Sequence, residues 1–152
     1  APEANAHALR GGRLRTGDAG TFSDDGWLTF QGRLNDSIRR RGENISAWEI
    51  ESAALQHPAI AEVAMIGVKA EIGEQEMKLF VRLADGHSID APQLHGWLRE
   101  QLGGYRTPRY IAFVESFPKT PSERIRKGLL PQATDDCWDA ESYARTLLTG
   151  TA

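Results

Sequence analysis

The sequence predicts an α+β fold: a small β-hairpin or meander followed by a compact domain with a mixed sheet flanked by helices. From Asp36 onward, strand-like and helix-like segments alternate as β-α-β-β-α-β. A sheet with its helices on one side satisfies that order most simply. Asp25-Gly26 separates two strand-like runs, which signals a hairpin. Ser46 stands three residues before Glu49, the spacing of a capping box, and so marks the start of a helix.

Residues 13–33 alternate short apolar segments with turn clusters. Leu14 to Thr16, Thr21-Phe22 and Trp27 to Phe30 read as strands, with turns at Gly17 to Gly20 and Ser23 to Gly26. Ile38 to Arg41 is a short basic strand, and Gly42 to Ile45 is a fixed loop. The helix Ala47 to Gln56 follows, with Ile45 and Ile50 spaced as a hydrophobic staple and Glu49 and Glu51 placing negative charge near its positive end. His57-Pro58 closes it, because a proline disfavours helical geometry in the residue before it. Ile60 to Val68 and Met77 to Leu83 are β-branched and apolar, and read as paired strands around a loop containing Gly73. Asp90 caps a second helix running to Leu102, with Pro92 in its first turn and Leu94, Trp97, Leu98 and Leu102 on one face. Gly103-Gly104 ends it, Tyr110 to Val114 is a further strand, and a short helix is expected after Ser122. In the tail, 133–152, Trp138, Tyr143, Leu147 and Leu148 recur near helical spacing and would pack on the domain or on a partner.

Composition excludes several classes of function. The 152 residues carry a net charge of -3, which argues against nucleic acid as the main partner. A single cysteine, Cys137, excludes an internal disulfide framework and a cysteine-rich zinc site. The histidines, His7, His57, His87 and His95, form no ligand spacing, so no metal site is assigned. No apolar run approaches the ~20 residues needed to span a bilayer. A cytoplasmic location is the default expectation. The chain opens on Ala1 without a core-forming segment, as a piece of something longer would.

Asp18, read alone, is a turn aspartate bonding its own backbone. Arg39, Arg40 and Arg41, read alone, are a charged strand edge, and alternation lets only one or two of them face a common ligand. The order of the motifs says more. Thr16-Gly17-Asp18, then Asp25-Gly26, then Gly32-Arg33, then Gly42-Glu43-Asn44 and Glu49-Ile50-Glu51, then Phe117-Pro118-Lys119-Thr120-Pro121-Ser122, resembles the C-terminal part of the adenylate-forming superfamily. That superfamily comprises the acyl-CoA synthetases, luciferases and peptide-synthetase adenylation domains.

The resemblance implies that Asp18 accepts hydrogen bonds from the ribose hydroxyls of ATP and that Arg33 contacts ribose and phosphate. It makes Asn35 the hinge residue, a position more often Asp or Lys in relatives. Gly42, Glu43 and Asn44 would line the tunnel for the coenzyme A thiol arm. In relatives a Gly-Lys pair follows the last motif, and its lysine binds the substrate carboxylate and the α-phosphate. Here Glu123 stands at the glycine and Arg124 at the lysine, with Lys127 three residues on as a possible substitute. Magnesium would arrive with ATP.

The resemblance further divides the chain into the end of a large N-terminal domain (1–34), a C-terminal lid domain (35–132) and a helical C-terminal tail (133–152). The chain itself lacks the glycine-rich loop that would cradle ATP phosphates. It is therefore expected to be inactive alone, with the missing large domain, a carboxylic acid and coenzyme A as partners. The Arg41 to Ser46 stretch looks most similar to the fatty-acyl and crotonobetaine/carnitine-CoA ligases. Two other readings stay open: a stand-alone, non-catalytic binding module, and the lid of an adenylation domain that loads a carrier protein.

Overall fold

The computed structural model describes residues 8–70 and 73–150. The first strands form two separate hairpins instead of one meander. Strands β1 (Leu9–Arg10) and β2 (Arg13–Leu14) pair across Gly11-Gly12, and β3 (Asp18–Phe22) pairs with β4 (Leu28–Arg33). The expected turn at 17–20 is a single bend at Gly17, φ 77°. Asp18 already belongs to the ladder, opposite Arg33.

After a 3₁₀ turn at Leu34–Asp36, β5 (Ser37–Arg40) and β6 (Glu43–Ser46) form another hairpin, so the loop expected at 42–45 is mostly strand. Its two-residue turn has Arg41 at φ 52° and Gly42 at φ 84°. Positive φ at both central residues is what a tight antiparallel hairpin of this kind requires.

Helix α1 spans Ala47–Ala54, two residues shorter than expected; the amides of Gln56 and His57 close it as a turn. The expected capping box is not formed. The Ser46 hydroxyl donates instead to the Gln31 carbonyl of β4 at 2.9 Å, and the Glu49 carboxylate pairs with Arg106. Long-range partners won over the local ones, and an ionised partner makes the stronger hydrogen bond for Glu49. Ile45 and Ile50 are both buried in the same cluster, as a staple would place them.

Strands β7 (Ile60–Lys69), β8 (Gln75–Leu83), β9 (Tyr110–Phe113) and β10 (Trp138–Asp139) form one sheet in the order β10-β9-β8-β7. The β8–β9 pair is parallel and the other two are antiparallel. Helix α2 (Ala91–Leu102) crosses between β8 and β9. It carries the capping box that α1 lacks: Asp90 accepts from the Gln93 amide at 2.8 Å, and the Gln93 side chain reaches back to the Asp90 amide. Both helices cover one face, where Ile50, Met65, Met77, Leu79, Leu94, Leu98 and Ile111 are buried. The opposite face, with Ala64, Ile66, Val68 and Phe80, is covered by Phe117 and Leu130 from the loop that follows β9. That two-sided burial explains the nearly continuous apolar runs of β7 and β8. Instead of a helix after Ser122, this loop makes a tight turn and then a 3₁₀ turn at Lys127–Leu129.

The tail adds strand β10 to the sheet edge and then helix α3 (Ala140–Thr149). Arg109 grips Asp139 through two hydrogen bonds of 2.9 and 3.0 Å, and the Trp138 ring lies between His95 and Tyr143. Lys78, fully buried under this segment, donates to the Ala133 carbonyl. Leu147 and Leu148 on α3 face outward.

Burial pushes the Asp139 carboxyl up, but hydrogen bonds from Arg109, Ser142 and the Glu141 amide outweigh it and hold the pKa at about 2. A depressed carboxylate contributes stability that is present above its unfolded value, 3.8, and lost as pH falls through about 2. Trp138 fluorescence should therefore report release of the tail between pH 4 and pH 2. Asp139→Asn should weaken the tail at neutral pH and abolish that acid transition; an unchanged transition would contradict the anchor.

Candidate functional site

Cross-strand pairing brings Asp18 and Arg33 together. Arg33 Nε lies 3.3 Å from Asp18 Oδ1, with both side chains still accessible. Arg33 borders a cavity of about 380 Å³ lined also by Gln31, Ser37, Ser46, Trp48 and Glu49. Gly32 is required beside it on two counts. Its φ is 110°, and a Cβ there would stand 2.9 Å from the Trp48 Cβ and 3.0 Å from the Ser46 hydroxyl. Phe30 meets the Trp48 ring edge-on at 6.2 Å.

Asn35 lies between two anchored residues. On one side, the Leu34 amide donates to the Gly17 carbonyl at 2.8 Å, which ties it to the start of β3. On the other, Asp36 Oδ2 is 3.3 Å from Lys127 Nζ, and Ser37 enters the β5–β6 ladder. The Ser37 amide donates across Asn35 to the Leu34 carbonyl, which closes the 3₁₀ turn.

At the β5–β6 turn, the Gly42 amide donates to Glu74 Oε2 at 3.3 Å, while Glu74 Oε1 accepts from Arg39 at 2.7 Å. A Cβ on Gly42 would meet nothing within 4 Å, so glycine is demanded here by its backbone conformation and not by crowding within this chain. Glu43 and Asn44 are exposed, opposite Arg40 and Arg39. The basic triplet divides by burial. Arg40 is a buried structural residue, paired with Glu76 at 2.8 Å and donating to the Tyr105 carbonyl. Arg41 points to a cavity of about 370 Å³ shared with Gly42, Glu74, Glu76, Arg109 and Glu141.

The structure separates the two cations of the last motif. The Thr120 amide donates to the Arg124 carbonyl at 2.8 Å, the Thr120 hydroxyl accepts from the Arg124 amide, and Lys119 bridges to Ile125. This turn puts Glu123 at φ 59°, the left-handed conformation that favours the glycine expected there. Lys119 helps to hold it, 3.4 Å from Glu123 and 2.6 Å from Glu62. Arg124 leaves the turn exposed, with no ion-pair partner among the described residues. Lys127 points inward to Asp36 and Glu51.

Sequence reasoning missed the partners Glu49–Arg106, Glu51–Lys127 and Arg109–Asp139. Each joins residues far apart in sequence, and no local spacing signals them. Among the described residues there is no cluster of three or more His, Cys, Asp or Glu able to hold a metal ion, and no helix long and apolar enough to cross a membrane.

Hairpins followed by a small α+β domain with a mixed four-stranded sheet have the fold of a C-terminal lid domain. The family described as AMP-binding enzyme C-terminal domain matches residues 49–124, and the chain belongs to it. A 2-succinylbenzoate–CoA ligase of Geobacillus kaustophilus is 39% identical over 124 residues, 82% of this chain and 25% of that protein. The o-succinylbenzoate CoA synthetase of Bacillus subtilis, solved with its acyl-adenylate intermediate, superposes with a TM-score of 0.80 at 28% identity, covering 88% of this chain and 27% of that one. An amide bond synthetase of Marinactinospora thermotolerans superposes at 0.76 with 36% identity, covering 84% and 26%. The chain thus spans about a quarter of the length of the relatives it matches.

The left-handed turn can be tested directly. Glu123→Gly should leave stability unchanged or raise it by up to about 1 kcal/mol, whereas Glu123→Val should lower it by more than about 1 kcal/mol. Urea unfolding of the two variants gives the comparison, and equal stabilities would contradict the assignment.

Proposed function

We propose that this chain is the mobile C-terminal lid, with the last hairpins of the large domain, of an ATP-dependent acyl-CoA synthetase. The observation that carries the reading is the placement of Asn35 in a short 3₁₀ turn between an amide anchored upstream and a carboxylate anchored downstream. A rotation about that one residue would turn everything after it as a unit. On this reading 1–34 belong to the large domain, 35–132 are the lid, and 133–152 are a tail docked on it. The large apolar side chains exposed on the first hairpins, Leu14, Phe22, Trp27, Leu28 and Leu34, would then be covered by the rest of a longer protein.

In the first half-reaction a carboxylate oxygen attacks the α-phosphorus of ATP, and the bond to pyrophosphate breaks. Asp18 accepts from the ribose hydroxyls, and Arg33 partly balances its charge. Arg124, exposed at its turn and free of a carboxylate partner, supplies the cation for the acid and the α-phosphate. Arginine offers a planar fork where relatives place an ammonium, so this contact is a paired one and not a point charge. Magnesium would accompany the ATP. The lid then turns about Asn35 and brings the Gly42-Glu43-Asn44 turn to the adenylate. The coenzyme A sulfur, having lost its proton, attacks the acyl carbon, and the acyl–phosphate bond breaks to release AMP. The Arg41 to Ser46 stretch resembles that of the fatty-acyl and crotonobetaine/carnitine-CoA ligases, so acids of those kinds come first in a panel of carboxylic acids. The likeness to an amide bond synthetase favours a second reading, in which adenylation is kept and an amine replaces the thiol. Dependence on coenzyme A separates the two.

In the complete enzyme, Arg124→Ala should lower acid-dependent pyrophosphate exchange by about 10²–10³-fold, the usual loss for a donor aimed at developing charge. Gly42→Leu should spare that exchange and depress thioester formation. Equal loss of both half-reactions in Gly42→Leu would mean that the turn is only structural. The 152 residues alone should support neither reaction.

A further inference from the structure

Lys127 sits three residues beyond Arg124, and its side chain is three-quarters buried. Its ammonium is 3.3 Å from Asp36 Oδ2 and 2.8 Å from Glu51 Oε1. Glu51 Oε1 also accepts from the Met65 amide at 2.6 Å. One cation therefore joins the turn after Asn35, helix α1 and strand β7. An ammonium has three donors, and with two carboxylates in place Lys127 has little left to offer a ligand. Removing it would leave Glu51 facing Asp36 without a counter-charge, which is costly for a largely buried carboxylate.

The connection from Lys127 back to Arg124 is short and stiff. The Arg126 amide donates to the Pro118 carbonyl at 2.8 Å, and the Leu130 amide donates to the Lys127 carbonyl at 3.0 Å. Leu130 itself is buried against the sheet. Displacement of Lys127 would thus move the turn that carries Arg124.

We propose that Lys127 is a positioning residue: through Asp36 and Glu51 it locks the Arg124 loop to the first residues beyond the pivot, so that loop and lid swing as one body. The proposal rests on the ligase reading above, in which Arg124 serves adenylation. Within it, Asp36 belongs to the moving body, and the pivot is confined to Leu34–Asn35.

Two measurements test it. In the 152-residue chain, Lys127→Ala should speed hydrogen exchange of the Arg126 and Leu130 amides by about tenfold or more, and Lys127→Arg should stay near the wild type. Unchanged exchange in Lys127→Ala would overturn the lock whatever the enzyme does. In the complete ligase, Lys127→Ala should lower pyrophosphate exchange about 10–100-fold, the cost of a misplaced group. Thioester formation from added acyl-adenylate should change less than about twofold, because the lock bears only on the Arg124 loop. Lys127→Arg should restore most of the exchange, and Asp36→Asn combined with Lys127→Ala should be no worse than Lys127→Ala alone. An inactive Lys127→Arg, or losses that multiply in the double variant, would place Lys127 on the substrate and overturn the proposal. If Arg124→Ala leaves pyrophosphate exchange intact while Lys127→Ala still loosens the Arg126 and Leu130 amides, the role of Arg124 in adenylation fails and the lock stands; a complete protein with no acid-dependent exchange at all would instead overturn the ligase reading.

Discussion

The feature on which the proposed motion depends is the short 3₁₀ turn Leu34–Asp36, which joins the hairpins to the α+β domain. Upstream, the Leu34 amide is committed to Gly17; downstream, the Asp36 carboxylate is committed to Lys127. Both bonds are ordinary in strength, about 1 kcal/mol each for a net hydrogen bond and somewhat more where charge is involved. Their effect is geometric. On the proposed reading they mark off two bodies and leave the turn at Asn35 to absorb a change of angle between them. The contacts that cross this point include the Ser37 amide on the Leu34 carbonyl, the Ser46 hydroxyl on Gln31, and Trp48 against Gly32 and Phe30. Breaking two hydrogen bonds and one aromatic edge contact costs a few kcal/mol at most, about what the proposed rotation would have to offset.

Within the second body, ionic contacts set position more than they add stability. Arg40–Glu76, Arg109–Asp139 and Lys127–Glu51 each draw charge away from water, so their Coulomb gain is largely offset by desolvation. Their value lies in direction. Arg40 fixes the β5–β6 hairpin to the sheet and to the segment after α2. Arg109 fixes the tail strand to the sheet edge, and Lys127 fixes the loop after β9 to Asp36 and Glu51. The apolar core between α1, α2 and the sheet supplies the driving force for folding.

The sheet, both main helices and their order were legible in the sequence, because apolar runs, the Asp90 cap and the proline at 58 are local signals. The pairing of Ile60 to Val68 with Met77 to Leu83 was legible for the same reason. The helix-start signal at Ser46 was also read at the right place, but its chemistry was not. The hydroxyl and the Glu49 carboxylate are spent on Gln31 and Arg106, partners that only tertiary structure supplies. The basic triplet 39–41 could not be resolved from sequence, since burial of Arg40 depends on Glu76 and the Tyr105 carbonyl. Nor could Arg124 and Lys127 be told apart as cations on one short segment. The left-handed turn at Glu123 sends one outward and the other inward.

The central claim, that two bodies turn about Asn35, is tested most directly by distance. Spin labels at Ser23, on the β3–β4 turn, and at His87, after β8, would be followed by double electron–electron resonance in the complete protein. The account predicts one separation with carboxylic acid and ATP, a second with the adenylate and coenzyme A, and loss of the second when Asn35 is replaced by proline. A single separation in every state, unaffected by that replacement, would contradict it.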